Sequence, residues 1–130
     1  MKILKSLVSA ILVFSTSFVF AHGEDKPGPH GGVIRMPGAY HTEVVLLGAS
    51  KLKVYLLDIH WKNPSVKDSS VSVTFGEEKI QCEKEREFFV CTFDESVDLK
   101  SKGKLVVESI REKQRGNLVE YEVPLKVGNK

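Results

Sequence analysis

An all-β sandwich is the fold class that the sequence predicts, and three observations favour it. Beyond residue 32, short segments alternate apolar and polar side chains, the two-residue period of a strand with one buried face. Turn signals rich in Gly, Pro, Asn and Ser separate these segments at roughly ten-residue spacing. No stretch shows a useful amphipathic helical period. The pattern is typical of an immunoglobulin-like sandwich of about seven to eight strands.

The first 21 residues precede this domain and have the parts of a secretory signal peptide. Lys2 and Lys5 come first, an apolar run over residues 7–20 follows, and Ala21 ends it. We expect cleavage between Ala21 and His22, which divides the chain into a signal peptide (1–21), a His/Gly/Pro leader (22–32) and a sandwich domain (33–130). An uncleaved anchor is the alternative, but serines and a threonine dilute the apolar run. The mature protein is therefore predicted to be periplasmic or secreted, with no stable membrane insertion.

Charge excludes one class of partner. The precursor has 19 basic and 17 acidic residues, and loss of Lys2 and Lys5 brings the two counts level. The charges are interspersed along the chain, so no basic face for nucleic acid is predicted. The remaining length suits one domain with one core.

The first strands form a predicted hairpin. Residues 33–36 are a short extended piece that Pro37 and Gly38 end, residues 40–47 alternate, and a Gly-Ala-Ser connection leads into residues 51–59. Pairing about that connection places Val44 beside Val54 and puts Tyr40, Thr42, Val44 and Leu46 on one face. His41, Glu43, Val45 and Leu47 then share the other face.

The later strands follow the same alternation. They are predicted over residues 70–75, 80–83, 88–93, 104–110 and 118–127. A polar connection over 94–102 is anchored by Val97 and Leu99, and residues 111–117 are expected to form a charged loop.

Cys82 and Cys91 are predicted to form a disulfide. A turn about Arg86 and Glu87 sets the two cysteines opposite each other, and an exported chain meets an oxidising compartment. The bridge should contribute about 2–3 kcal/mol through loop entropy. A catalytic or metal-binding pair is the alternative, but the spacing between the cysteines is not that of redox or zinc motifs.

Candidate metal ligands lie in the first half of the chain: His22, His30, His41, Glu43 and His60. If His22 is the mature amino terminus, its free amine and ring Nδ1 can chelate Cu(II) or Ni(II), with His30 as a further ligand. His41 and Glu43 share one face, whereas period-two geometry turns His60 to the opposite face beside Asp58. One site for all the histidines is therefore not assumed.

Each candidate also has a structural interpretation. His22 is then part of an unstructured tail, His30 part of an ordered turn, His41 a surface residue and His60 a core-edge residue bonded to Asp58 or a carbonyl. Met36 is either a soft ligand suited to Cu(I) or a core-filling side chain.

Residues 21–43, which begin A-H-G-E-D-K-P-G-P-H-G-G, resemble the start of small exported bacterial proteins. The G-P-H-G-G sequence and the following Tyr-His-x-Glu strand are similar to segments of periplasmic heavy-metal efflux components. An exported immunoglobulin-like domain that opens on a histidine also resembles the CopC-type copper carriers. That resemblance implies Cu(II) held by His22 and a further histidine. The chain departs from those carriers in lacking a methionine-rich loop, since only Met36 follows the signal, and in having a disulfide.

The sequence thus predicts a non-enzymatic, periplasmic metal-binding protein for transport, buffering or heavy-metal resistance. Cu(II) is the first expectation, with nickel, zinc or cobalt next, and a metal-efflux component or another envelope protein is the expected partner. The alternative is an immunoglobulin-like structural or interaction module that uses Tyr40, Tyr55 and Trp61 as a contact surface. A copper oxidase with a histidine brace is a third, weaker alternative, because the domain is short for an extended substrate surface.

Overall fold

The structure is a computed structural model that describes residues 26–126. The predicted signal peptide and His22 lie outside the described residues. The described part contains ten strands: β1 Val33–Arg35, β2 His41–Leu46, β3 Lys51–Leu57, β4 Ser70–Phe75, β5 Glu78–Gln81, β6 Glu83–Glu85, β7 Phe88–Thr92, β8 Gly103–Arg111, β9 Gln114–Arg115 and β10 Val119–Val123. No helix long and apolar enough to cross a membrane occurs within residues 26–126.

The strands form two antiparallel sheets of five strands each, which confirms the predicted all-β sandwich. The first sheet has the order β1-β2-β3-β7-β6. The second has the order β10-β8-β4-β5, with β9 paired to β8. Ten strands form, where about seven to eight were expected, because a strand that changes sheet counts twice and a predicted loop is a hairpin.

The core lies between the sheets and has the composition that the alternation predicts. The register of β2 and β3 pairs Val44 with Val54 and Leu46 with Leu52, as expected. Burying one face of each strand removes apolar surface from water, which is the main stabilising contribution to such a fold. Residues of this core include Val44, Val54, Leu56, Val71, Val73, Phe89, Leu105, Val107 and Tyr121.

The chain changes sheets at Cys82. Its backbone N–H donates to Val71 O at 2.9 Å, on the second sheet, and the next residue, Glu83, pairs with Val90 on the first. The predicted disulfide is confirmed, with an S–S distance of 2.07 Å to Cys91 and a Cα–Cα distance of 4.4 Å. The bridge therefore closes the corner where one strand passes between sheets.

The expected charged loop over residues 111–117 is wrong in its first half. Arg111 pairs with Gln114 and Ile110 with Arg115, so the chain makes a hairpin. Glu112 and Lys113 both have positive φ, 46° and 70°, which matches the two-residue turns that suit the twist of a hairpin. The sequence did not indicate this turn, because glutamate and lysine rarely adopt a positive φ.

The connection after β7 is anchored as predicted. Leu99 is buried, its N–H donates to Ala49 O at 2.6 Å, and Val97 packs against the core. These contacts bring the connection back against the β2–β3 hairpin.

Candidate metal site

The site lies on the outer face of the first sheet, which we define as the side chains of β1, β2, β3 and β7 that point away from the second sheet. Ile34, Tyr55 and Leu57 form a small apolar cluster there, separate from the main core. Val45, Trp61 and Phe88 pack against it. Apolar side chains on the outer face of a sandwich stay out of water only if another segment covers them, and this cluster is buried.

The leader provides that cover. Gly28 N–H donates to Gly32 O, and Gly31 N–H donates to Gly28 O, both at 2.9 Å, so the leader folds into a compact turn. Gly28 and Gly32 are buried although they belong to a loop. A Cβ at Gly32 would lie 2.5 Å from Val44 O, so only glycine permits this close approach to β2.

Glu43 is the anchor of the leader. Its side chain is fully buried, at 0% exposure, which is rare for a carboxylate unless it is fully hydrogen-bonded. Its Oε2 accepts the backbone N–H groups of His30 at 2.8 Å and Gly32 at 2.9 Å. Its Oε1 lies 2.7 Å from His30 Nδ1. Glu43 therefore uses both of its oxygens to hold the leader.

His30 has a defined position and orientation. Its ring stacks on Tyr55 with centroids 3.6 Å apart and planes 3° from parallel. A carboxylate that already accepts two N–H groups acts as an acceptor toward Nδ1, so Nδ1 carries a proton, and in the neutral imidazole Nε2 is the nitrogen with the lone pair. The side chain is 29% exposed. A carboxylate behind an imidazole is the arrangement that orients histidine ligands in metal proteins.

His41 lies on the same face as Glu43, as predicted, but it is buried at 6% exposure instead of facing solvent. Trp61 covers it, with ring centroids 5.9 Å apart in an edge-to-face arrangement. His41 Nδ1 lies 3.1 Å from Asp58 O. The expected surface residue is thus enclosed, because the loop after β3 folds back over the strand end.

His60 does not follow the predicted strand alternation, because β3 ends at Leu57 and His60 lies in a turn. The residue is exposed. The expected contact with Asp58 is made by the backbone, since His60 N–H donates to Asp58 Oδ1 at 2.8 Å. The N–H group of Lys62 and the side chain of Asn63 also bond this carboxylate, and these hydrogen bonds lower the pKa of Asp58.

The structure therefore brings His30 and Glu43 together, places His41 two residues along the same strand face, and leaves His60 in a separate turn. Within residues 26–126, no group of three or more His, Cys, Asp or Glu residues is arranged to hold a metal ion. Any ion bound at His30 would need ligands from elsewhere, and His22 lies outside the described residues.

Sequence reasoning did not assign Tyr55 a place in this site. The signal was present, because the β2–β3 pairing places Tyr55 directly opposite Glu43. The sequence did not show that the leader lies across both of these strands.

In comparisons with known proteins, no protein-family model, no curated protein and no solved structure matches the chain. The site must therefore be interpreted from its own geometry.

Proposed function

We propose that the protein is a non-enzymatic periplasmic carrier of a transition metal, with Cu(II) first and nickel, zinc or cobalt next. It serves metal transport, buffering or resistance and delivers its ion to an envelope partner such as a metal-efflux component. The observation that carries the proposal is the buried Glu43 carboxylate bonded to His30 Nδ1 at 2.7 Å. In the neutral imidazole that contact leaves Nε2 as the coordinating nitrogen of a side chain that is 29% exposed.

Glu43 has an orienting role in this proposal. It fixes the tautomer and the direction of His30, so the ring needs little reorganisation when it binds an ion. Imidazole nitrogen suits Cu(II), Ni(II) and Zn(II). Because coordination requires neutral imidazole and a deprotonated amine, metal affinity should fall in acid.

The remaining ligands come from the predicted amino terminus. His22 precedes His30 by eight residues, which span at most about 29 Å when extended and much less when the chain folds back. The amine and ring of His22 can therefore reach the exposed edge of His30. Partial exposure of His30 also supports release of the ion by ligand exchange with a partner.

The test is a Cu(II) titration by calorimetry and EPR. The protein that starts at His22 is compared with a version that has one extra residue ahead of it. Tight one-to-one binding that is lost on extension is the expected result. Equal binding by both would place the site on internal histidines, and no binding above weak surface affinity would refute metal carriage.

Glu43→Gln tests the orienting role. An amide facing Nδ1 donates a hydrogen bond, so His30 moves its proton to Nε2 and loses the coordinating lone pair. We expect Cu(II) affinity to fall about 10- to 100-fold. His60→Gln is the matched control, since this histidine is exposed and outside the site, and it should keep the affinity of the parent protein.

The alternative interaction module has less support from the expected aromatic surface. Tyr40 is 1% exposed and Tyr55 is 4% exposed, so neither offers a contact surface, whereas Trp61 is partly exposed. A protein that fails to bind Cu(II) would leave this module as the alternative, with a docking surface elsewhere.

A further inference from the structure

We propose that the outer face of the second sheet holds a binding site for a phosphate group. A groove of about 230 Å³ lies there, on the side of β4, β5, β8 and β9 that points away from the core. The groove shares no residue with the His30 site, so the proposal is independent of metal carriage. Its polar lining includes Ser70, Ser72, Lys79, Gln81, Glu108 and Arg115.

The strand pairing forms the floor of this groove. Val71 and Val73 are fully buried in the core, so alternation turns Ser72 to the outer face. Ser72 pairs with Gln81 on β5 and with Glu108 on β8, and directly opposed side chains on one face have Cβ atoms roughly 4.5–5.5 Å apart. Although it points outward, Ser72 is only 9% exposed. Its hydroxyl therefore lies at the bottom of a depression, between an amide and a carboxylate.

The β8–β9 hairpin holds Arg115 at one end of the groove. Glu112 and Lys113 form the turn with positive φ, a conformation that strains residues other than glycine. The N–H of Glu112 donates to Ser69 Oγ at 2.9 Å. The N–H of Lys113 donates to Asp68 O, also at 2.9 Å. These bonds tie the turn to the residues just before β4, so the fold fixes the backbone of Arg115 beside the groove. Strain that the surrounding structure maintains in this way is common at binding sites.

Hydrogen-bond donors outnumber acceptors in the groove. Lys79 Nζ lies 2.9 Å from Glu108 Oε2, and Arg115 Nη1 lies 3.5 Å from Glu108 Oε1. An ammonium has three N–H donors and a guanidinium has five, and each cation gives one of them to Glu108. The two cations leave one net positive charge, and they are 61% and 67% exposed, so an anion can reach both. With the Ser72 hydroxyl and the Gln81 amide, the groove offers more donors than the two oxygens of a carboxylate can use, which favours phosphate.

Glu108 makes the groove selective among oxyanions. An ionised carboxylate accepts about four hydrogen bonds. Ser72, Lys79 and Arg115 supply three, so one acceptor position remains. The hydrogen bond from Lys79 holds the pKa of Glu108 below its usual range, so the carboxylate is ionised at neutral pH. Inorganic phosphate keeps a P–OH donor at that pH, whereas sulfate has none. Phosphate can therefore donate to Glu108, and sulfate meets only charge repulsion there.

The test is a titration of the exported protein, freed of metal by a chelator, with inorganic phosphate at neutral pH and constant ionic strength. NMR signals of the Ser72 amide and of the Arg115 Nε–H group report the groove, and the Gly32 amide reports the leader. We expect the first two signals to follow one single-site saturation curve while the Gly32 signal stays constant. Sulfate should bind at least tenfold more weakly than phosphate.

Variants distinguish a phosphate site from a surface network of ion pairs. Lys79→Gln and Arg115→Gln should each weaken phosphate binding about tenfold, because each removes a charged donor. Glu108→Gln should abolish the preference for phosphate over sulfate, since the amide can donate to either ion. Loss of a merely structural contact would not change that ratio. Lys104→Gln is the matched control: Lys104 lies on the same sheet face but pairs with Glu120 at 3.7 Å, and its replacement should keep the affinity of the parent protein.

Three results would overturn the proposal: constant Ser72 and Arg115 signals at high phosphate, equal affinity of the parent protein for phosphate and sulfate, or unchanged phosphate affinity in both Lys79→Gln and Arg115→Gln. A parallel titration with glycerol phosphate identifies the source of the group. Binding as tight as that of inorganic phosphate would indicate a phosphate group carried by a larger molecule. Binding of inorganic phosphate alone would indicate the free ion.

Discussion

Replacing Glu43 by alanine should detach the leader from the outer face of the first sheet. The change removes the acceptor for the N–H groups of His30 and Gly32 and for His30 Nδ1. A buried donor without a partner costs about 1–3 kcal/mol. The two backbone donors alone would therefore cost about 2–6 kcal/mol if the leader stayed in place.

The measured loss should lie near the lower end of that range, at about 3 kcal/mol. The leader can open and hydrate its N–H groups while the two sheets remain folded, so the free energy of local opening caps the loss. What opening costs instead is the cover over Ile34 and Tyr55. A domain of this size has a total stability of about 5–15 kcal/mol, so the variant should still fold.

Two measurements check this expectation. Urea unfolding gives the change in the free energy of unfolding, and native-state hydrogen exchange of the Gly32 amide reports the opening of the leader. Glu43→Gln is the matched control, because it keeps an acceptor oxygen for the backbone donors and should lose less than about 1.5 kcal/mol. If Glu43→Ala lost less than about 1 kcal/mol and left Gly32 exchange unchanged, the carboxylate would not be the anchor.

Two further outcomes are expected. Replacing Cys82 and Cys91 together by alanine should lower the free energy of unfolding by about 2–3 kcal/mol, because a bridge with a sequence separation of 9 no longer restricts the unfolded chain. Urea unfolding of the variant and the parent protein measures this difference. An unchanged unfolding midpoint would contradict the entropic reasoning. Burial raises the pKa of Tyr121 above the ordinary 10.0, so the folded state binds its proton more tightly than the unfolded state and stability should decline as pH rises above 10.0. In the parent protein, ionisation of Tyr121, followed by tyrosinate absorbance, should then accompany unfolding. Tyr121→Phe should lose this part of the alkaline destabilisation. Ionisation of Tyr121 in the folded protein near pH 10.0 would be the contrary result.

The strand pairing was predictable from sequence because its cause is local. Alternation identifies the buried face of each strand, and a short connection then determines the register, as it does for Val44 with Val54. The disulfide follows from the same reasoning, since Cys82 and Cys91 are brought together by a turn between them. The sheet change at Cys82 was not predictable, because alternation continues through a corner.

The histidines show where local reasoning ends. Alternation correctly placed His41 on the face of Glu43, but it could not show that a turn after β3 encloses that face with Trp61. For His60, the strand stops before the residue is reached, so the alternation has no meaning there. In both cases the outcome depends on the hydrogen bonds of Asp58, which organise the turn.

The sequence alone thus determined the sandwich, the pairing of its first hairpin and the disulfide, because each arises from neighbours along the chain or from a two-residue period. Only the tertiary structure decided that the leader covers the outer face, that Glu43 is a buried anchor and that His30 stacks on Tyr55. Those contacts join three separate segments, and no periodicity links them. Burial is the physical reason: a carboxylate excluded from water must find every donor within reach, and the leader supplies them.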